Sequence, residues 1–116
     1  MAGKLNLTIE QGATFTKRLT WKAGSPSAPV DLSGCTARMQ VRAKISDTAV
    51  LLELTTENDG ITLGDEAGTI DLSVTAEQSA AITWKGGVYD LEIEFADGVV
   101  KRLVEGSITV SPEVTR

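Results

Sequence analysis

Apolar residues recur at every second position along this chain in short runs, and Gly, Pro, Asp and Asn separate the runs. Period-two alternation sets one face of a run against a core and the other against water, which predicts half-buried β-strands. Leu5, Leu7 and Ile9 alternate with Asn6 and Thr8 until Gln11-Gly12 closes the run. Phe15, Leu19 and Trp21 share a face opposite Thr14, Thr16, Arg18 and Thr20. Lys17 breaks that face, so this strand is expected to reach solvent near its middle. Ala23 to Pro29, built of small residues and prolines, reads as a loop. Cys35, Ala37, Met39 and Val41 then alternate with Thr36, Arg38, Gln40 and Arg42, the cleanest strand of the N-terminal half.

The second half continues in the same manner. Val50, Leu52 and Leu54 are expected to face the core, followed by a turn at Glu57 to Gly60 and a short Ile61 to Leu63 segment. Ile70, Leu72 and Val74 line another face. One helix is predicted over 76–82, with Thr75 as its cap and Gln78 completing a capping box, ended by Gly86-Gly87. Tyr89, Leu91, Ile93 and Phe95 alternate with Asp90, Glu92 and Glu94 before Asp97-Gly98, a preferred pair for a two-residue type I′ turn. The resulting hairpin register sets Phe95 against Val100, Glu94 against Lys101 and Leu91 against Val104, with Arg102 opposite Ile93. Leu103 would then point outward with Glu105, Ser107 and Thr109.

About eight short strands with turn signals every 8–12 residues read as an all-β protein. The expected form is one antiparallel immunoglobulin-like β-sandwich spanning residues 1–116, with a single short helix. Tyr89 stands where a tyrosine corner sits in such sandwiches, its hydroxyl bonding back to the preceding turn. Cys35 would be core.

Composition removes several kinds of chemistry. The 116 residues carry a formal net charge of −5 and no histidine. The acidic balance argues against nucleic acid, whose binders cluster Lys and Arg. Without histidine, the commonest general base and metal ligand is missing. A single cysteine allows neither an intrachain disulfide nor a thiolate metal site, and no apolar run approaches a membrane span. The first ten residues lack the apolar core of a signal peptide, and Gly3 misses the myristoylation position, so synthesis and folding in a cytoplasm are expected.

The remaining candidates favour plain readings. Asp90, Glu92 and Glu94 lie on one strand face, about 7 Å apart in succession, a spacing that could suit a glycosidase pair or calcium. They are read as a solvated face, with Lys101 opposite. Glu57, Asp59, Asp65 and Glu66 surround two turns without EF-hand spacing, so they are read as turn chemistry. Ser33-Gly34-Cys35 lacks a base partner, and Gly86-Gly87 precedes a strand and offers no helix dipole to an anion. Lys17, Arg18, Arg38 and Arg42 are read as ordinary surface charge. No catalytic residue, cofactor or metal site is expected. Trp84 is the one aromatic residue expected to be exposed, and Leu103, beside Leu51 or Trp84, would make an interaction patch, so Trp84 and Leu103 are the candidate interaction surface.

Several segments carry a resemblance. Ile70 to Gln78, Tyr89 to Glu94 and Arg102 to Arg116 resemble small proteins of tailed bacteriophages and prophages, similar to the immunoglobulin-like domain of the baseplate upper protein family. Gln11 to Phe15, Leu19 to Trp21, Val30 to Gly34 and Ala37 to Arg42 match as well. These motifs are strands and turns, and they supply no catalytic residue. The resemblance implies a non-catalytic virion or tail-associated module, made in the host cytoplasm, that docks to other phage structural proteins and is compatible with a symmetric oligomer. The larger members of the family carry further domains. A carbohydrate- or host-surface-binding module of the same fold is the competing reading, since fold alone does not separate the two.

Overall fold

The computed structural model describes residues 3–24 and 27–115. Strands β1 (Gly3–Lys4), β2 (Leu7–Glu10), β6 (Thr36–Arg42), β7 (Leu52–Thr55), β10 (Gly86–Glu94) and β11 (Val100–Ser111) form the larger sheet. Its order is β1-β11-β10-β6-β7, and β2 also runs beside β11. The β6, β7, β10 and β11 ladders are antiparallel, whereas β1 and β2 lie parallel to β11. Strands β3 (Phe15–Thr20), β8 (Ile61–Leu63) and β9 (Thr69–Val74) form the second sheet, in the order β3-β9-β8 and all antiparallel. The stretch read as a loop contains a small hairpin, β4 (Lys22–Ala23) against β5 (Ala28–Pro29); Ser25 and Pro26 lie outside the described residues.

The alternating pattern explains the core. Leu7, Ile9, Ala37, Met39, Val41, Leu54, Tyr89, Leu91, Ile93, Ile108 and Val110 of the larger sheet are buried against Ile61, Ile70, Leu72 and Val74 of the smaller one. Each inward residue is followed by an outward polar one, so the core lies between two sheets that both face water on their other side. Phe15, Leu19 and Trp21 pack on its margin and Lys17 between them is exposed, as the sequence predicts. Cys35 is half-buried at the margin, and burial raises its thiol pKa.

The helix, α1 (Ala76–Ala80), begins as expected: the Thr75 hydroxyl accepts from the Gln78 N–H at 3.0 Å, and the Gln78 side chain accepts from the Thr75 N–H at 2.9 Å. It ends earlier than predicted. Gly86 and Gly87 do not terminate it but open β10, where the backbones approach closely: a Cβ on Gly87 would lie 2.5 Å from the Arg42 carbonyl oxygen. Ser79, fully buried, joins α1 to the β2–β3 turn by accepting from the Gly12 N–H and donating to the Ala13 carbonyl.

The β10–β11 hairpin differs from the expected register near its tip. Gly98 has φ of +88°, but Asp97 is not in the left-handed region, so the turn is not type I′. The Gly98 N–H bonds the Phe95 carbonyl and the Phe95 N–H bonds the Val99 carbonyl, the pattern of a longer turn closed by a glycine bulge. Register is displaced by one residue, setting Glu94 against Val100, Ile93 against Lys101 and Glu92 against Arg102. A second bulge, at Leu103, restores Leu91 to Val104. The two displacements cancel, which explains why the simple register holds only below the bulge. The expected Glu94–Lys101 pair is replaced: the Lys101 ammonium stands 6.0 Å from the centre of the Phe95 ring. Leu103 does not point outward but packs, half-buried, against the core.

A similar irregularity moves Val50. Leu51 donates its N–H to the Val41 carbonyl, and Leu52 also pairs with Val41. Both leucines therefore reach the core margin, and Val50 is left 41% exposed, contrary to the expected alternation.

Candidate functional site

The outer face of the larger sheet is built by the positions that alternate with its core residues. From β6 come Arg38, Gln40 and Arg42; from β10, Val88, Asp90 and Glu92; from β11, Arg102, Glu105 and Ser107. Pairing places Glu92 between Arg38 and Arg102, and Asp90 between Gln40 and Glu105. Lys4 and Asn6 close one side and Ile45 the other, giving a shallow groove of about 680 Å³. Three of the chain's five arginines stand on this one face of an acidic protein.

Its charges are arranged in pairs. Arg38 Nε donates to Glu92 Oε1 at 3.1 Å, Arg102 Nε lies 3.4 Å from Asp90 Oδ2, and Lys4 Nζ donates to Glu105 Oε2 at 3.0 Å. Arg42 is fastened differently, donating to the Asp47 and Thr48 carbonyls and to Gln40 Oε1, which holds the following loop against the sheet. Burial raises the Asp90 carboxyl pKa above its ordinary value, and Arg102 offsets only part of that rise. The Lys4 ammonium, through its hydrogen bond, lowers Glu105. Both groove-lining acids of the predicted triplet, Asp90 and Glu92, are arginine-paired. Glu94 belongs to a separate hollow of about 280 Å³ with Glu57 and Val100. The concavity was not legible from the triplet alone, because it depends on the β6 and β11 neighbours.

The turn acids Glu57, Asp59, Asp65 and Glu66 do not come together; among the described residues no group of three potential ligands is placed to hold a metal. Trp84 is half-buried and packs, like Leu103, against the core, so neither stands free as the sequence suggests. Trp21 and Phe95 pack on one another with ring centres 5.9 Å apart. A sugar platform would want aromatic rings along the groove, and none of these three lines it. Tyr89 lies at the groove floor but is buried, its pKa pushed up to about 12 by that burial.

The tyrosine has a different role from the one expected. Its hydroxyl donates to the carbonyl of Leu5, not to the turn preceding its own strand. Leu5 in turn donates its N–H to the Glu105 carbonyl at 3.0 Å. Tyr89 faces Gly106 across the ladder, and the missing side chain there is what lets the Leu5 carbonyl approach. This anchors the N-terminal segment that supplies Lys4 and Asn6 to the groove.

No protein-family model matches the chain, and no curated protein sequence matches it. Among solved structures it superposes on a chicken TCR with a TM-score of 0.57 at 10% sequence identity, over 97% of this chain. The fold is an immunoglobulin-like β-sandwich. The chain spans 56% of the length of that receptor chain, and at this identity the likeness concerns fold alone.

Proposed function

We propose that this chain is a non-catalytic docking module of a tailed-phage particle, seated on other virion proteins through the outer face of its larger sheet. The observation that supports this reading most strongly is the ordered charge pattern of that face. Glu92 stands between Arg38 and Arg102 in one row and Asp90 between Gln40 and Glu105 in the next, fixed by the ladder and bordered by Ile45, which is 88% exposed. Arginine is enriched at protein interfaces, and fixed charges of both signs set register and reject wrong partners more than they add affinity. The likeness of the strand and turn motifs to phage baseplate-associated domains supplies the particle context. Particles purified from cells expressing the phage genes should contain this chain at a stoichiometric level by quantitative mass spectrometry. Its absence from particles, with abundant chain in the infected cells, would replace this reading with an assembly-only or regulatory role.

A further inference from the structure

We infer that Asn58 closes the free edge of β7 against strand addition. Strand β7 ends the larger sheet beyond β6, so among the described residues one row of its backbone groups has no strand beside it. The ladder identifies that row. Thr56 donates to the Ala37 carbonyl in register with the β6–β7 ladder, so Leu52, Leu54 and Thr56 turn their backbone groups toward β6; the Leu51 bond to the Val41 carbonyl belongs to the irregularity before Leu52. Glu53 and Thr55 turn theirs outward.

Those outward groups are met by one side chain. Asn58 Nδ2 donates to the Glu53 carbonyl at 3.0 Å, and Asn58 Oδ1 accepts from the Thr55 N–H at 2.8 Å. A residue of a parallel neighbouring strand would make the same two bonds, giving its N–H to one residue and taking the N–H of the residue two further on. The carboxamide thus occupies the position of a strand residue opposite Leu54. It is held there twice more: Oδ1 accepts from the Gly60 N–H at 2.9 Å, and the Asn58 N–H donates to the Thr55 hydroxyl at 2.9 Å.

The opposite treatment is seen at β3, an edge of the smaller sheet. Trp21 donates to the Gly68 carbonyl in register with the β3–β9 ladder, so Thr16, Arg18 and Thr20 direct their backbone groups outward. There the guard is Lys17, a charge on the inward face, which is a known way to discourage edge pairing. At β7 the inward residues Leu52 and Leu54 carry no charge, and the carboxamide supplies the protection instead. This inference stands on the ladder and hydrogen bonds alone, independently of any docking role.

The test compares wild-type chain with Asn58→Ala by sedimentation velocity over a concentration series, with amide hydrogen exchange on both. In the wild type the Thr55 amide should exchange more slowly than the outward Arg18 amide. Asn58→Ala should self-associate roughly tenfold or more tightly than wild type, with β7 amides regaining protection as association proceeds. An Asn58→Ala chain that is folded and less stable, yet associates no more than wild type, would overturn the inference and leave Asn58 as a turn former only. Thr55 exchanging as fast as Arg18 in the wild type would overturn it equally. If Asn58→Ala does not fold, Asn58→Gln, which displaces the carboxamide by one methylene, is read by the same association outcomes.

Discussion

Replacing Gly106 by alanine is expected to destabilise the fold by about 3 kcal/mol. A Cβ at this position would overlap the Leu5 carbonyl oxygen, far inside any permitted contact. That carbonyl cannot simply shift. The N–H of Leu5 is bonded to the Glu105 carbonyl, and the carbonyl itself receives the Tyr89 hydroxyl. Moving the N-terminal segment away would break the hydroxyl bond and leave a buried phenol without its partner, which adds a desolvation penalty to the steric one. Tyr89→Phe removes only the hydroxyl bond and should cost about 1 kcal/mol. Chemical denaturation of the three proteins, with equal m-values, checks this ordering. A Gly106→Ala midpoint indistinguishable from wild type would show that the segment is not anchored in this way.

Reversing two charges on the outer face should have the largest functional effect. Arg38→Glu together with Arg102→Glu would set new carboxylates beside Glu92 and Asp90 and turn a mixed face into an acidic one. A partner complementary to the present pattern would meet like charge where it expects opposite charge, at a cost of several kcal/mol. Occupancy on particles should therefore fall by about a hundredfold or more. Both arginine side chains are more than half exposed, so the sandwich itself should persist, and circular dichroism with the denaturation midpoint would establish that. Arg18→Glu, on the outer face of the smaller sheet beside Asp71, is the control and should leave occupancy unchanged. Undiminished incorporation of the double variant would remove this face from the docking role.

The sandwich was legible in the sequence because strand alternation is a local property. Met39 and Val41, Leu91 and Ile93, and Ile70 to Val74 each have the right period, and each lies where that period puts it. The capping box was equally local, since Thr75 and Gln78 satisfy one another within one turn. Legibility failed where an extra residue entered a strand. Bulges at Leu103 and beside Leu51 shift the phase of the residues beyond them, and neither has a distinctive residue to announce it. Asp97-Gly98 did announce a turn but not its length, which the bond from the Phe95 N–H to the Val99 carbonyl reveals.

The groove was harder to read for a different reason. Asp90 and Glu92 were visible as an acidic stripe, but their arginine partners come from β6 and β11, and only the strand order brings these together. Lys101 appeared closer in the simple register and proved to belong to the Phe95 ring. The Tyr89 bond to Leu5 joins residues 84 positions apart, so no local signal could supply it. Gly106 was the available hint: a glycine inside a strand and opposite an aromatic residue marks a close backbone approach.

Side-chain footprinting by mass spectrometry, comparing chain bound in purified particles with the same chain free in solution, tests the docking face most directly. Ile45, Val88 and Arg38 should lose reactivity in the particle, while Lys17, Arg18 and Thr62 of the smaller sheet keep it. Protection of the smaller sheet, with the outer face of the larger sheet as reactive in particles as in the free chain, would contradict this assignment.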